Sequence, residues 1–288
     1  MIEKFYEALN TFNGTTLPIA FADVEFEFLA DTSYPNLCVK HYEYGLITPL
    51  IGRAVATITE IHLAICMGCK VKIHDACVIE TGETYLFKDH LKGLIDARNE
   101  AKKENDELSQ QMYKLIVNTL YGKISQGINS KSKFDLRDEN TKSFGTSPIT
   151  QPFIASMITG TLRGALSAIL VAMDELNKEG HDYIPISATT DGLLYKVSSK
   201  ANVKFTDCLK PEYRLNVKES LEKGGSAFGV FADVDPILYE KLLEFPVIRL
   251  LQSSRQSWGY DEFLEIKHAV NKVLNIKTRG QIGAYNEK

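Results

Sequence analysis

Two long helical patterns lie side by side near the middle of this chain, and the segments on either side of them are rich in strand signals. One pattern runs from about Phe87 to Lys103 and the other from Glu107 to Lys123, with the residues ENDE at the link. Two helices joined by so short a polar link are expected to return antiparallel. A helical pair placed between two parts of a strand-rich unit predicts the α+β class, with a protruding helical subdomain.

The flanking segments carry their own helix and strand signals. IEKFYEALNTFNG predicts a short helix that stops at Asn13-Gly14, and IAFADVEFEF predicts a half-exposed strand because apolar and acidic residues alternate in it. The apolar set of that strand is Phe21, Val24, Phe26 and Phe28. A helix is predicted around 61–67, a strand over KVKIHDACVI, a loop or small hairpin over 126–148 and a long helix over about 153–177.

The stretch ISATTDGLLYKV, residues 186–197, holds a single carboxylate between two apolar runs. Such runs around a small polar centre predict a β-hairpin with Thr189, Thr190, Asp191 and Gly192 at its tip. A tight tip would carry Asp191 out of an apolar sheet, either into solvent as a turn residue or onto a cation as a ligand.

Composition restricts the function classes. The 288 residues carry a net charge of −4, so a nucleic-acid binder with this balance must concentrate its cations locally. The five cysteines include one CxxC, Cys66 and Cys69, in an apolar helix-like run, which favours core residues over a metal site and a reducing compartment over disulfides. The N-terminus lacks the apolar core of a signal peptide, and no apolar run approaches the roughly 20 residues of a membrane helix. We therefore expect a soluble intracellular protein.

The second helix of the pair, QQMYKLIVNTLYGK, predicts a functional face. Lys114, Asn118 and Tyr121 fall at i, i+4 and i+7, and Leu115, Ile116 and Val117 are expected to supply the opposite, buried side. The first helix carries Arg98 and Lys102 at i and i+4. Two neighbouring helices that each present cations could hold a polyanion, although for Arg98 and Lys102 alone a solvated face is the favoured interpretation.

The motifs resemble those of family B DNA polymerases. KLIVNTLYG, residues 114–122, resembles their motif B, K-x3-N-S-x-Y-G, with Thr119 in the usual Ser position. TTDG, residues 189–192, resembles their motif C, D-T-D-S, in the form of protein-primed polymerases of linear plasmids and phages. PITQPFIASMITGTLRGAL resembles the helix before motif C, LPIAFADVEFEF through YGLITPLIG resembles the segment after motif A, and IKTRGQIG stands where the family keeps its lysine-bearing entry to the thumb. The resemblance covers nearly the whole chain.

The resemblance implies DNA-directed nucleotidyl transfer with primer-template DNA and dNTP as substrates and two Mg²⁺ ions as cofactors. Asp191 would be the catalytic residue and metal ligand, and Thr189 replaces the first acid of motif C. The implied nucleotide-binding residues are Lys114, Arg98 and Lys102 at the triphosphate, with Asn118, Tyr121 and Gly122 at the nascent base pair. The implied DNA-binding residues are Lys267, Lys277 and Arg279. Arg163 is left between two roles, a DNA contact or an ion pair inside the palm.

One part of the family pattern is missing. Motif A supplies the second carboxylate in a D-x-x-S/G-x-Y arrangement, and the first eighteen residues contain no aspartate. Asp31 in DTSYP has its tyrosine two residues too early, and Asp23 has Phe28 where the tyrosine should stand. No exonuclease segment and little of a thumb are present, and the insertion at 126–148 is short. We therefore expect a polymerase piece whose second carboxylate lies in another chain or an absent segment.

The resemblance implies five parts: the first part of the palm over 1–84, the fingers helical pair over 85–125, a short insertion or hairpin over 126–149, the palm with its motif C hairpin over 150–262, and the start of a thumb over 263–288. An upstream polymerase polypeptide and a terminal protein primer are the implied partners, with no membrane. The host cytoplasm is the implied location and mitochondria the alternative. Two other hypotheses are open: a non-catalytic polymerase descendant that binds DNA or a partner protein, and an unrelated α+β domain with chance motif matches.

Overall fold

A computed structural model describes residues 1–14, 17–79, 87–128, 132–143, 145–189, 192–197 and 235–257. The helices in these ranges are α1 (Ile2–Thr11), α2 (Ile58–Cys66), α3 (Lys88–Lys103), α4 (Glu107–Ile124), α5 (Pro152–Lys178), α6 (Pro236–Leu242) and α7 (Pro246–Ser257). The strands are β1 (Ile19–Glu27), β2 (Val39–His41), β3 (Gly45–Ile47), β4 (Ile51–Thr57), β5 (Lys70–Ile79), β6 (Ser132–Asp135), β7 (Asn140–Ser143), β8 (Tyr183–Thr189) and β9 (Gly192–Val197). The predicted α+β class is confirmed.

The strands form one three-stranded sheet and three antiparallel hairpins within the described ranges. The sheet has the order β4-β1-β5, so the first strand in sequence lies at its centre, and β1 and β4 are antiparallel with Asp23 opposite Val55. The hairpins are β2-β3, β6-β7 and β8-β9. The hairpins predicted within 126–148 and around Asp191 both correspond to observed strand pairs.

The chain divides into two compact units. Unit 1 consists of Met1–Val78 and Gly160–Lys288, and unit 2 consists of Ile79–Thr159. Unit 2 contains α3, α4, the β6-β7 hairpin and the first turns of α5, whereas unit 1 contains the three-stranded sheet, the β8-β9 hairpin and the remaining helices. The names palm and fingers for these parts stay predictions.

Strand β1 shows why an alternating sequence becomes the centre of a sheet. Its even-numbered positions are buried, among them Val24 and Phe26 with at most 1% of their surface exposed. The odd-numbered positions face the other side and carry the acids. Phe21 lies on this second side and is only partly buried, although the sequence pattern groups it with the apolar residues rather than with the acids. Parity along the strand, rather than side-chain polarity, decides the face.

Helix α2 begins earlier than the sequence pattern predicted, at Ile58 rather than near Ile61. The reason is the carboxylate of Glu60, whose Oε2 accepts from the backbone N–H of Thr57 at 3.1 Å and from its hydroxyl at 2.8 Å. The sequence T-x-x-E places an acid at the third helical position, where it satisfies donors at the helix start. The predicted bounds of β5 and of the α3–α4 pair are confirmed to within a residue.

The hydrophobic core of unit 1 lies around α5 and the helices and hairpin that follow it. Its buried members from α5 are Ala165, Ala168, Val171, Ala172, Met173 and Leu176. They pack with side chains of α2, β8, β9, α6 and α7. The N-terminal helix joins this region through Gly14, which has a positive φ of 89° and whose Cβ, if present, would stand 2.4 Å from the carbonyl oxygen of Pro246. Only glycine fits there.

Helix α5 has 27 residues and is long and apolar enough to cross a membrane by length and composition. The core helix of a soluble protein has the same length and composition. In unit 1 one face of the helix packs in the hydrophobic core, and the guanidinium of Arg163 pairs with Glu60. These contacts give the apolar composition a role in packing.

Candidate functional site

The helical hairpin of unit 2 is built by a three-residue link that ends one helix and begins the next. Asn105 takes the left-handed conformation, with φ 58°, and the N–H of Asp106 donates to the carbonyl of Ala101 at 2.8 Å. This arrangement satisfies the last carbonyls of α3. The carboxylate of Asp106 then accepts from the N–H of Ser109 at 3.1 Å and caps α4. Hydrogen bonding to the side chain of Ser109, and next to its N–H, lowers the pKa of Asp106.

The motif B residues lie on the solvent-accessible side of α4. Lys114 and Asn118 are exposed, and Tyr121 has 39% of its surface exposed. A Cβ added to Gly122 would meet no atom within 4 Å, so a large group could approach the backbone at this point. The structure therefore leaves this predicted nucleotide-binding face accessible within unit 2.

The prediction that Leu115 and Ile116 supply a buried side of α4 is wrong. Leu115 is 67% exposed and Ile116 is 42% exposed, and within α4 the buried residue is Ile124. The half-buried apolar positions are instead Tyr113, Val117 and Leu120, which recur at helical spacing and form the inner face. An apolar run that goes fully around a helix cannot show which of its faces the partner helix covers.

The two predicted cations of α3 differ in environment. Arg98 is half-buried, and among the described residues no carboxylate lies within ion-pair distance of it. Burial lowers the pKa of this guanidinium, because the charged form loses water without gaining an acid. Lys102 is exposed, while its neighbour Lys103 pairs with Glu100 at 3.0 Å. A half-buried cation of this kind is a candidate site for an anion that comes from outside the chain.

The predicted metal ligand Asp191 lies outside the described residues, but the strands on both sides of it are described. Thr189 pairs with Gly192, so only Thr190 and Asp191 connect β8 and β9. The predicted DNA-binding residues Lys267, Lys277 and Arg279 also lie outside the described residues. For these four residues the assigned roles stay predictions.

Asp23, one of the two candidates for the second carboxylate, is already engaged. Its oxygens accept from Nε of Arg53 at 3.0 Å and from Nη2 at 2.7 Å, a two-point contact across neighbouring strands. This contact lowers the pKa of Asp23, first through its hydrogen bond with Arg53. The other acids of the same face, Glu25 and Glu27, lie 3.0 and 3.6 Å from His74 and Lys70 respectively. Cross-strand contacts with Arg53, His74 and Lys70 account for the acidic face of β1.

The second candidate, Asp31, is exposed in the turn after β1 and acts electrostatically on Lys178 at the end of α5. Lys178 ends α5, shortly before β8 begins at Tyr183, whereas Asp191 follows Thr189 at the other end of β8. A strand of seven residues spans about 23 Å. The electrostatic partner of Asp31 therefore lies near the beginning of β8, the end of the strand away from Thr189.

A metal centre is not visible in the part of the chain that the structure describes, since no group of three or more His, Cys, Asp or Glu side chains comes together there. The CxxC pair fits a packing role: burial raises the pKa of Cys69 to about 11, so its sulfur is a thiol rather than a metal-binding thiolate at neutral pH. One carboxylate at 191 has the oxygen chemistry that Mg²⁺ prefers, but the described residues do not complete a two-metal site.

The partners that form two polar clusters of unit 1 were not identified from the sequence. Nε of Arg163 donates to Oε1 of the buried Glu60 at 2.8 Å, so of the two roles left for Arg163 the structure shows the ion pair. The second cluster joins the buried Asp235 to the hydroxyls of Tyr183 and Tyr195. Both clusters had a local signal, T-x-x-E before α2 and an aspartate followed by proline before α6, but each signal indicated only a helix start.

Comparison with known proteins gives the family. Residues 5–203 match the family model described as DNA polymerase type B, organellar and viral. A relative from Escherichia coli, named "Primer-independent DNA polymerase PolB", is 29% identical over 274 residues, which cover 92% of this chain and 26% of the relative. The chain thus spans about a quarter of the length of that curated relative. No solved structure matches this chain.

The family match extends over more than half of the chain and includes the motif B helix and the β8-β9 hairpin. The chain therefore belongs to the organellar and viral type B DNA polymerases.

Proposed function

We propose that this chain contributes the nucleotide-binding fingers and part of the two-metal palm of a DNA-directed DNA polymerase. The observation that carries the proposal is Arg98, a half-buried cation with no acid partner among the described residues, on the helix that pairs with motif B. Arg98 lies seven residues before Asn105 and Lys114 lies nine residues after it. Because a helix rises about 1.5 Å per residue, the positions of these two residues along the helical pair differ by about 3 Å. A triphosphate is an anion that can use both charges.

The proposed roles of the fingers residues follow from their chemistry. Lys114 would act as a point charge on the triphosphate, and Arg98 could hold two phosphate oxygens at once, with Lys102 beside it. Asn118 and Tyr121 would contact the nascent base pair, and the open backbone at Gly122 would allow close approach. This assignment uses only unit 2.

In unit 1 we assign Asp191 as the motif C carboxylate that holds a catalytic Mg²⁺ ion, which would stabilise charge on the reacting oxygens. The described residues do not complete the metal site by themselves. A second carboxylate would come from an upstream polymerase polypeptide or segment, since Asp23 is paired with Arg53 and Asp31 is associated with the beginning of β8. Lys267, Lys277 and Arg279 would hold DNA phosphates.

The start of synthesis has two candidate modes. The motif resemblance favours protein priming with a terminal protein, as in phages and linear plasmids. The name of the Escherichia coli relative instead favours synthesis without a primer. Under either mode the chain would act on DNA in the host cytoplasm or in mitochondria. The alternative of a non-catalytic descendant is not favoured by the family match.

The test separates nucleotide binding from catalysis. Binding of a fluorescent dNTP to the chain is measured for the wild type, Arg98→Ala, Lys114→Ala and the control Lys103→Ala, a lysine on α3 that is already paired with Glu100. We expect the first two variants to bind at least about tenfold more weakly, as for the loss of a charge-assisted contact of about 1.5–3 kcal/mol. Equal losses in the control would contradict a specific site.

Catalysis is then measured as Mg²⁺- or Mn²⁺-dependent incorporation on primed and unprimed DNA. The chain alone, the Asp191→Ala variant and the chain with the preceding reading frame's product are compared. Incorporation that needs the second polypeptide and is lost in Asp191→Ala would support a split enzyme. Incorporation that Asp191→Ala leaves intact would refute the metal assignment.

A further inference from the structure

A carboxylate with no exposed surface connects the β8-β9 hairpin to the start of α6. Oδ1 of Asp235 accepts from the hydroxyl of Tyr183 at 3.0 Å and from the N–H of Leu238 at 3.1 Å, and Oδ2 accepts from the hydroxyl of Tyr195 at 2.9 Å. Asp235 itself is 0% exposed. We call Asp235, Tyr183 and Tyr195 the Asp235 anchor. A buried charge with this many donors is stabilised by them and would be costly without them.

The two tyrosines belong to different strands, so the anchor holds both arms of the hairpin. Tyr183 is the first residue of β8, and Tyr195 lies on β9 opposite Pro185. The partners are 52 and 40 residues away from Asp235 along the chain. The rings are buried and their centroids are 6.0 Å apart. Both contacts lie toward the end of the hairpin away from its connection at Thr190-Asp191.

The hairpin needs such support. A two-stranded sheet is marginally stable by itself, and in the described residues β8 and β9 pair only with each other. The outer face is open, with Ile184 45% and Ile186 58% exposed. The inner face, with Tyr183, Leu193 and Tyr195, packs in the core with α5 and α6.

An irregularity separates the anchored end of the hairpin from the connection. The pairing register shifts between Pro185 and Ser187, so Ile186 is an additional residue on β8. A bulge bends a strand and increases its twist. Residues 187–189 and 192–194 lie between the bulge and the hairpin connection. The direction in which they extend therefore depends on how firmly the strands are held on the other side of the bulge, where Tyr183 and Tyr195 contact Asp235.

A purely apolar contact could hold the strands, but it would not fix their direction as strictly. The carboxylate oxygens accept along defined directions, and an apolar replacement of similar volume is often no less stable. Burial, with the neighbouring charge of Asp235, raises the pKa of Tyr183, so this phenol remains a donor over the whole range of physiological pH. Tyr183 is thus a fixed hydrogen-bond donor to Asp235.

We propose that Asp235 is a positioning residue for the hairpin connection that carries Asp191, and that it sets the metal affinity of that carboxylate without contacting the metal. The inference rests on the proposed function, because it needs Asp191 to be a metal ligand.

The first measurement uses the full chain and does not require activity. Amide hydrogen exchange of β8 and β9 is compared in the wild type, Tyr195→Phe, Asp235→Asn and Ile248→Val. Ile248→Val removes one buried methylene from the same core and leaves the anchor intact, so it controls for a general loss of stability. We expect faster exchange at Ala188 and Leu193 in the two anchor variants than in the control. The same exchange in all three variants would overturn the inference.

The second measurement is Mn²⁺ binding followed by the electron paramagnetic resonance of the free ion. The Mn²⁺ bound by the wild type but not by Asp191→Ala defines the site. We expect Tyr195→Phe and Asp235→Asn to raise its Kd about tenfold, the lower end of the effect of groups that orient metal ligands, and Ile248→Val to leave it within about twofold.

The two proposals fail in different ways. Equal Mn²⁺ binding by the wild type and Asp191→Ala would refute the metal role of Asp191, and the positioning inference would fall with it. A site that is lost in Asp191→Ala but unchanged in both anchor variants would overturn the positioning inference alone.

Discussion

Gly160 of α5 lies so close to the start of α2 that the chain has no room for a side chain between them. A Cβ at this position would stand 2.4 Å from Cγ2 and 2.6 Å from Oγ1 of Thr57, and 2.9 Å from Oε2 of Glu60. Both neighbours are tied: Thr57 donates to Glu60, and the other carboxylate oxygen of Glu60 holds Arg163. A methyl group must therefore push apart a hydrogen-bonded cluster rather than a flexible chain end.

The cost of Gly160→Ala can be worked from these contacts. Overpacking costs about 2 kcal/mol, and the loss of one hydrogen bond to the charged Glu60 costs about 2 kcal/mol more. The better helix propensity of alanine returns about 1 kcal/mol. We expect a net loss of about 3 kcal/mol in the free energy of unfolding.

The matched control lies one helical turn further along α5. A Cβ at Gly164 would meet its nearest atom, Cγ2 of Val247, at 3.6 Å, an ordinary contact. Gly164→Ala should therefore gain stability, by up to about 1 kcal/mol. The double variant Thr57→Ser/Gly160→Ala removes the Cγ2 contact and should recover part of the loss, which a double-mutant cycle measures.

The assay is urea unfolding followed by far-ultraviolet circular dichroism, with the slope m compared among variants to check that the transition is the same. If Gly160→Ala were as stable as the wild type while Gly164→Ala showed its expected gain, the close approach of α5 to Thr57 would be refuted. If both variants lost stability equally, backbone strain in α5 rather than the Thr57 contact would be the cause.

Two further predictions concern α4. Leu115→Gln should change the free energy of unfolding by no more than about 0.5 kcal/mol in the same assay, because this side chain is 67% exposed. A loss of several kcal/mol would instead support the buried face that the sequence predicted. The pKa of Asp106 is lowered by its contact with Ser109, so its contribution to stability is complete above the ordinary value of 3.8 and is lost as the pH falls through the lower folded value. Asp106→Asn keeps a capping oxygen but does not titrate. As the pH falls through this range, the helical content measured by circular dichroism should therefore decrease less in this variant than in the wild type. An identical acid transition in the two proteins would contradict this.

Local sequence determined the elements and the helix ends. The bounds of β5 follow from a segment in which polar and apolar residues alternate before the apolar end ACVI, and the α3–α4 hairpin follows from a polar link in which Asn105 can adopt a positive φ and Asp106 can cap the next helix. These signals act over a few residues, so propensity and capping alone carry them. The same holds for motif B, whose residues share a face of α4 because of helical spacing.

Tertiary structure decided the faces and the polar partners. Which side of α4 is covered depends on where α3 lies, and the helix sequence is apolar on too many sides to show it. Glu60 and Arg163 are 103 residues apart, and Asp235 meets tyrosines 40 and 52 residues away, so no local pattern relates them. The partners of a buried charge are determined by which groups lie close to it in space and by the loss of water around it. Both conditions arise only when the core around α5 has formed.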